Sequence, residues 1–267
     1  MHRPTVLAVA ALLVGLMAGC NASPSGPAHS RQTERARPGP RPELGACRDL
    51  TAGQLDAPTN HAPSVPCHEP HTAQTFLVGT LPASTGSGYD DPRHGSYAHR
   101  TCSRAFRRFL SADDSLVLRI QLSWAWFRPS RQSWRGGARW LRCDAVGGAA
   151  GAHRLRDLPE ATRGLFRKAP PEQWLTCARG ARLADAARVP CSRPHDWRAI
   201  STVKVGRPGE AWPGNHVVDV RSRQYCNDQV GAWTGYAPDY GYGWTAFHEA
   251  EWKAGSRRSV CWARTTK

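Results

Sequence analysis

Apolar and polar residues follow one another along this chain with periods that change from element to element. Residues 73–80, Ala-Gln-Thr-Phe-Leu-Val-Gly-Thr, form a β-rich run closed by Pro82 and by the Gly- and Ser-rich turn at 84–88, so a strand is expected there. A helical period follows. From about Ser96 onward, Cys102, Ala105, Phe106, Phe109 and Leu110 stand at i, i+3, i+4, i+7 and i+8, with Arg104, Arg107 and Arg108 between them. That spacing puts one apolar stripe on a helix whose outer face is basic. Residues 115–126 return to a period of two, with Leu116, Leu118, Ile120 and Leu122 on one side, and predict a second strand. A last short strand is expected at 139–146, carrying Cys143.

The series then recurs. The pattern V-P-C-x-x-P-H occurs at residues 65–71 and again at 189–195. Cys67 precedes Cys102 by 35 residues, and Cys191 precedes Cys226 by the same 35. Trp134 and Trp252 each open a W-x-x-G segment and each stand nine residues before a cysteine, Cys143 and Cys261. A strand at 195–205, a helix at 218–233 around Cys226 (Val230 and Trp233 at i+4 and i+7), and strands at 242–251 and 257–264 repeat the earlier order. The period, about 120 residues, is that of a whole domain and not of a solenoid unit.

The expected fold class is therefore α+β: two tandem small disulfide-stapled domains, each a small antiparallel sheet with one main helix. They are expected at residues 45–148 and 173–267. A connector at 149–172, bracketed by Gly147-Gly148 and Pro170-Pro171, is expected to hold one or two helical turns within 155–166.

Nine cysteines are many for a cytosolic protein and ordinary for an exported one. Eight fall four to a copy: Cys47, Cys67, Cys102 and Cys143, then Cys177, Cys191, Cys226 and Cys261. The ninth, Cys20, follows a positive start (His2, Arg3), an apolar run at 5–17 and the small pair Ala18-Gly19. Residues 1–19 read as a secretory signal, too short to span a bilayer, which takes about 20 apolar residues. Met17-Ala18-Gly19-Cys20 resembles a bacterial lipobox. The resemblance implies cleavage before Cys20 and a diacylglyceryl thioether on its sulfur, each buried CH₂ holding the membrane by about 0.8 kcal/mol. Residues 20–44, rich in Pro, Ser and Arg, form a linker with too little apolar surface to fold.

The formal charge is +15, and 32 of the 36 basic residues are arginine. Such a surplus attracts anionic polymers and lipid headgroups. On an exported protein, nucleic acid is not an expected partner. The partners expected are membrane lipid through acylated Cys20, and cell-wall polymer or division proteins. Solubility alone is the blander account of the same arginines.

Eight cysteines allow 105 pairings, or three per copy if bridges stay inside a copy. The duplication favours one pattern in both, and the expectation is Cys47–Cys67, Cys102–Cys143, Cys177–Cys191 and Cys226–Cys261. Zinc is the rival, since Cys67 with His71 and Cys191 with His195 each offer a thiolate and an imidazole; but no close C-x₂-C pair occurs, so no metal is expected. The prolines at 70 and 194 force an extended backbone before each histidine, and the imidazole is then placed to bond a nearby carbonyl.

His94-Gly95-Ser96 with His99 and Cys102 resembles the His/Cys site of L,D-transpeptidases. The S-H-G-C order is absent, and the duplicate cysteine Cys226 lacks the histidines. No G-x-S-x-G, H-E-x-x-H or P-loop motif occurs. No enzyme and no cofactor are expected. Trp134, Trp252, Trp126 and Trp244 are matched between copies and read as core. Trp124, Trp140, Trp212 and Trp233 are unmatched and freer to bind. His71, His195, Trp124 and Trp140 are the candidate binding residues.

V-P-C-x-x-P-H, a helix carrying a cysteine, and W-x-x-G before a final cysteine resemble the septum formation domain of high-GC Gram-positive bacteria. The resemblance covers residues 45–262 outside the connector. It implies an envelope-attached, two-copy lipoprotein on the outer face of the cytoplasmic membrane, acting in cell division or cell-wall organisation as a binding or scaffold module. The alternatives are a cell-wall-modifying enzyme and a basic module that binds anionic wall polymers.

Overall fold

The computed structural model describes residues 39–207 and 209–265. The signal segment, Cys20 and the linker up to residue 38 lie outside the described residues. Two antiparallel sheets with few helices and four disulfides make up the fold.

The first sheet has the order β1-β2-β4-β3, from β1 (Cys47–Arg48), β2 (Ala73–Thr80), β3 (Leu122–Phe127) and β4 (Trp140–Gly147). A short helix α1 (Ala52–Leu55) follows β1. Helix α2 (Arg93–Leu110) packs on the sheet through Ala98, Cys102, Ala105, Phe106, Phe109 and Leu110, the apolar stripe expected from the spacing. It starts three residues before the expected Ser96, because Asp91 Oδ1 accepts the Arg93 backbone N–H at 3.0 Å. It ends where Ser111 turns left-handed at φ 59° and Ala112 N–H donates back to Arg107 O. Phe76 meets Phe106 and Phe109 at 5.6 Å between ring centroids. Each such buried ring is worth about 1.5–3 kcal/mol.

The expected strand over 115–126 is shorter than its alternation implied. Asp113 Oδ1 accepts the N–H groups of Ser115 and Leu116 at 2.9 and 2.6 Å, which curls 116–118 into a 3-10 turn. Leu118 is left exposed, and pairing with β4 begins only at Leu122. Ser130 then caps α3 (Arg131–Arg135), whose Trp134 turns into the core.

The second sheet has the order β6-β5-β7-β9-β8, from β5 (Thr176–Arg179), β6 (Ala187–Pro190), β7 (Trp197–Lys204), β8 (Tyr242–Thr245) and β9 (Arg258–Arg264). Helix α4 (Asn215–Trp233) covers it through Val218, Ser222, Cys226 and Val230, one residue per turn. The strand expected at 242–251 stops at Thr245. Helix α5 (Glu249–Ala254) takes its end and carries Trp252, as α3 carries Trp134.

The two sheets share an irregularity. β2 bulges against β4 between Thr75 and Leu77, directly before Leu77 faces Cys143. β7 bulges against β9 between Ala199 and Ser201, directly before Ser201 faces Cys261. One inserted residue bends the strand where the helix-to-strand disulfide is made.

The connector holds no helix at 155–166. Its backbone is spent on the first half instead: Arg156 N donates to Gly147 O, Leu158 N to His71 O, Gly164 N to Phe109 O and Phe166 N to Leu110 O. Leu158, Phe166 and Trp174 complete the core under α2. The sheets also touch directly, through an antiparallel bridge between Ile120 and Leu175. The described residues accordingly belong to one compact unit.

Candidate functional site

The residues that recur in sequence recur in position. Val65 bridges Cys47, and Val189 pairs with Cys177. Beside them lie the disulfides Cys47–Cys67 and Cys177–Cys191. Cys102–Cys143 and Cys226–Cys261 then tie each main helix to the last strand of its sheet. With these sulfurs paired, neither Cys67 nor Cys191 offers a thiolate to a metal, and Cys102 is no nucleophile. Among the described residues, no group of three or more His, Cys, Asp or Glu converges as a metal site requires.

His71 and His195 turn inward, which corrects their reading as binding residues. The Nδ1–H of His71 donates to Glu69 O at 2.8 Å, and that of His195 to Arg193 O at 2.7 Å. A carbonyl only accepts, so the bond assigns the hydrogen to Nδ1. The rings are 1 % and 3 % exposed and close the turn behind the second proline of each motif. Trp140 is also corrected: it lies buried in the smaller core cluster with Phe127 and Ala138. Trp134 and Trp252 are buried, and Trp126 and Trp244 are half-buried against the two cores. Trp212 packs edge-on against Phe247 and Trp252, and Trp233 is exposed.

Trp124 alone of the four candidates reaches a cavity. The cavity, about 910 Å³, opens between α2 and the face of the second sheet that α4 leaves uncovered. Alternation on β9 makes this face. Ser259 and Cys261 point to α4, where Ser222 Oγ bonds Ser259 Oγ at 2.8 Å. Arg258, Val260 and Trp262 therefore point the other way, into the cavity. On the opposite wall, His99, Arg100, Ser103, Arg104 and Arg107 come from the outer face of α2. That face reads as solvent-facing in sequence; Arg100 and Arg104 stay exposed, and the second half stands across the cavity from them.

The electrostatics are one-sided. Arg100, Arg104 and Arg107 line one wall, and Arg188, Lys204, Arg257 and Arg258 line the other; Asp114 is the one carboxylate in the lining. Asp114 meets Arg107 at 2.8 Å and Arg258 at 3.9 Å, so it bridges the walls. Among the described residues, Arg100, Arg104, Arg188 and Lys204 make no ion pair. Burial, with Arg100 adding to it, pulls the His99 imidazole below its ordinary 6.5, and its ring lies 5.7 Å from Trp124.

One recurring residue has a signal that motif reading passed over. Arg139 and Arg257 each stand five residues after the matched tryptophan. Their guanidinium groups lie 3.8 Å and 3.7 Å from the ring centres of Trp134 and Trp252. Their carbonyls accept from Leu81 and Val205. Arg257 continues into the cavity, with Nη1 buried and without a hydrogen-bond partner among the described residues.

No curated protein and no solved structure matches the chain significantly. Residues 118–261 match the septum formation family, a segment that starts before β3, crosses the cavity and ends at Cys261. That is more than half of the 267 residues, and the chain belongs to the septum formation family.

Proposed function

We propose that this protein is a non-enzymatic binding module of the cell envelope, held to the outer face of the cytoplasmic membrane by acylated Cys20, and that it takes part in septum formation through the cleft between its two halves. On this reading the halves are two copies of one septum formation unit. One observation carries it. Every duplicated cysteine and histidine is consumed by the scaffold, in a disulfide or a buried carbonyl bond. What remains free is the cation-lined cavity, whose size fits the usual range of ligand sites, about 300–1,000 Å³. The cavity holds no paired nucleophile and base, so binding is the chemistry its residues offer.

The test is in cells and in solution. A Cys20→Ala protein is expected to leave the membrane fraction, and its cells to divide with misplaced or delayed septa. Purified protein incubated with wall fragments is expected to release no product. Turnover that survives purification and is lost in a cleft variant makes the protein an enzyme.

A further inference from the structure

We propose that the cleft binds a phosphodiester-linked chain of polyols or sugars, a polymer whose repeating charge is phosphate. This rests on the reading of the protein as a binding module and adds the ligand's chemistry. Three features of the cavity select it.

The first is charge on both sides. The cationic side chains stand on α2 and, across the cavity, on the second sheet. A single carboxylate or a terminal phosphate satisfies one wall. An occupant with several phosphates along a flexible chain satisfies both. The second is shape. The cations line a concave space of about 910 Å³. A bilayer surface is broad and flat, and a nucleic-acid duplex is wider than the space, so neither brings its phosphates to both walls.

The third feature separates polyol phosphate from a single nucleic-acid strand. Single strands are bound by stacking successive bases on open aromatic faces. Here the lining rings are buried or half-buried. Trp262 is 2 % exposed, and the Arg188 guanidinium covers it at 4.1 Å from the ring centre. Trp124 is half-buried, and the His99 ring lies tilted 5.7 Å from it between ring centres. Beside apolar side chains such as Val117, Ile120 and Val260, the cavity offers cations and hydroxyls (Ser103, Ser123, Thr245, Ser256). That is the donor set for phosphate oxygens and chain alcohols.

The experiment uses the full chain and oligo(glycerol phosphate) of defined length, with binding read by calorimetry. Wild-type affinity is expected to fall more than tenfold as salt rises from about 50 to 200 mM. Arg100→Gln with Arg104→Gln, and separately Arg188→Gln with Lys204→Gln, are each expected to weaken binding tenfold or more. Arg221→Gln with Arg223→Gln removes the same charge from exposed positions on α4, outside the cavity lining, and is expected to stay within twofold. The proposal is overturned if the control pair loses as much as the cleft pairs, or if the wild-type salt slope is flat, a readout that needs no variant. It is also overturned if a thymidine oligonucleotide or a phosphatidylglycerol vesicle binds more tightly than the oligomer. No oligomer binding together with Cys20-dependent septation removes this ligand and leaves the binding module standing. Product release from wall polymer removes the module itself.

Discussion

Arg142 and Asp144 form a buried ion pair inside the first half, Nη2 to Oδ2 at 3.0 Å, with side chains 3 % and 0 % exposed. Thr75 donates to the other carboxylate oxygen at 2.8 Å, Arg48 donates to Thr75, and Asn60 accepts from Arg142. Burial pushes the Asp144 carboxyl up and pulls the Arg142 guanidinium down, and each opposes that pressure on the other. In the second half Val260 and Trp262 hold the matching positions on β9, so the network is not part of the shared scaffold. Asp144→Ala leaves Arg142 buried and uncompensated. It is expected to cost about 3–5 kcal/mol in urea denaturation, and Arg142→Met with Asp144→Ala less than the two single changes together.

The disulfides are expected to rank by the length of chain they close. Cys102–Cys143 closes 41 residues and Cys177–Cys191 closes 14. Replacing either pair by serine costs about 2–5 kcal/mol, and the chain-entropy difference puts the longer loop about 1 kcal/mol higher. Denaturation of the two double mutants measures it. Mapping of the non-reduced protein by mass spectrometry checks the links themselves.

Asp91 makes the start of α2 acid-sensitive. The Arg93 side chain and its backbone N–H donate to the carboxylate and hold it down to about 2, against an ordinary 3.8. The folded chain releases this proton more readily than the unfolded one. The contribution is therefore complete above about pH 4 and lost as pH falls through about 2. The melting temperature of Asp91→Asn is expected to lie below wild type at neutral pH, with the gap closing over that window.

His99 is expected to report from the cleft. Its folded value lies below 6.5, so the fold favours the neutral ring, and that preference is lost as pH falls through the folded value. A protonated imidazole quenches a neighbouring indole. A quenching step in tryptophan emission with its midpoint below pH 6.5 is expected in wild type and absent in His99→Gln. A midpoint above 6.5 contradicts the burial.

Phe166 distinguishes a linker from a piece of core. It is 6 % exposed under α2, with its N–H on Leu110 O. Phe166→Ala is expected to cost about 3–5 kcal/mol, as a core phenylalanine does, where a change in a solvated connector stays within about 0.5.

Much of the fold was legible because local periods and the packed faces agree. β2 and the stripe on α2 follow from residues that a single strand or helix must bury. The 3-10 turn at 116–118 was not, because one carboxylate, Asp113, outweighs the alternation of three leucines and one isoleucine once it captures two N–H groups. The connector was not, because Leu158 and Phe166 are isolated in sequence and gain their meaning from a core supplied elsewhere. A lone tryptophan on a strand, such as Trp140, carries no mark in the sequence of which sheet face it takes.

The cleft shows the division most plainly. By itself the sequence determined a repeated, sulfur-rich α+β scaffold, since cysteine spacing, helical stripes and strand alternation are local properties that survive without knowing what lies opposite. The arginines of α2 looked like an ordinary wet face for the same reason. Only the tertiary structure set Arg100 and Arg104 across a cavity from Arg188 and Lys204, since those residues lie 84 to 104 positions apart in the chain and meet because the second half packs over the first.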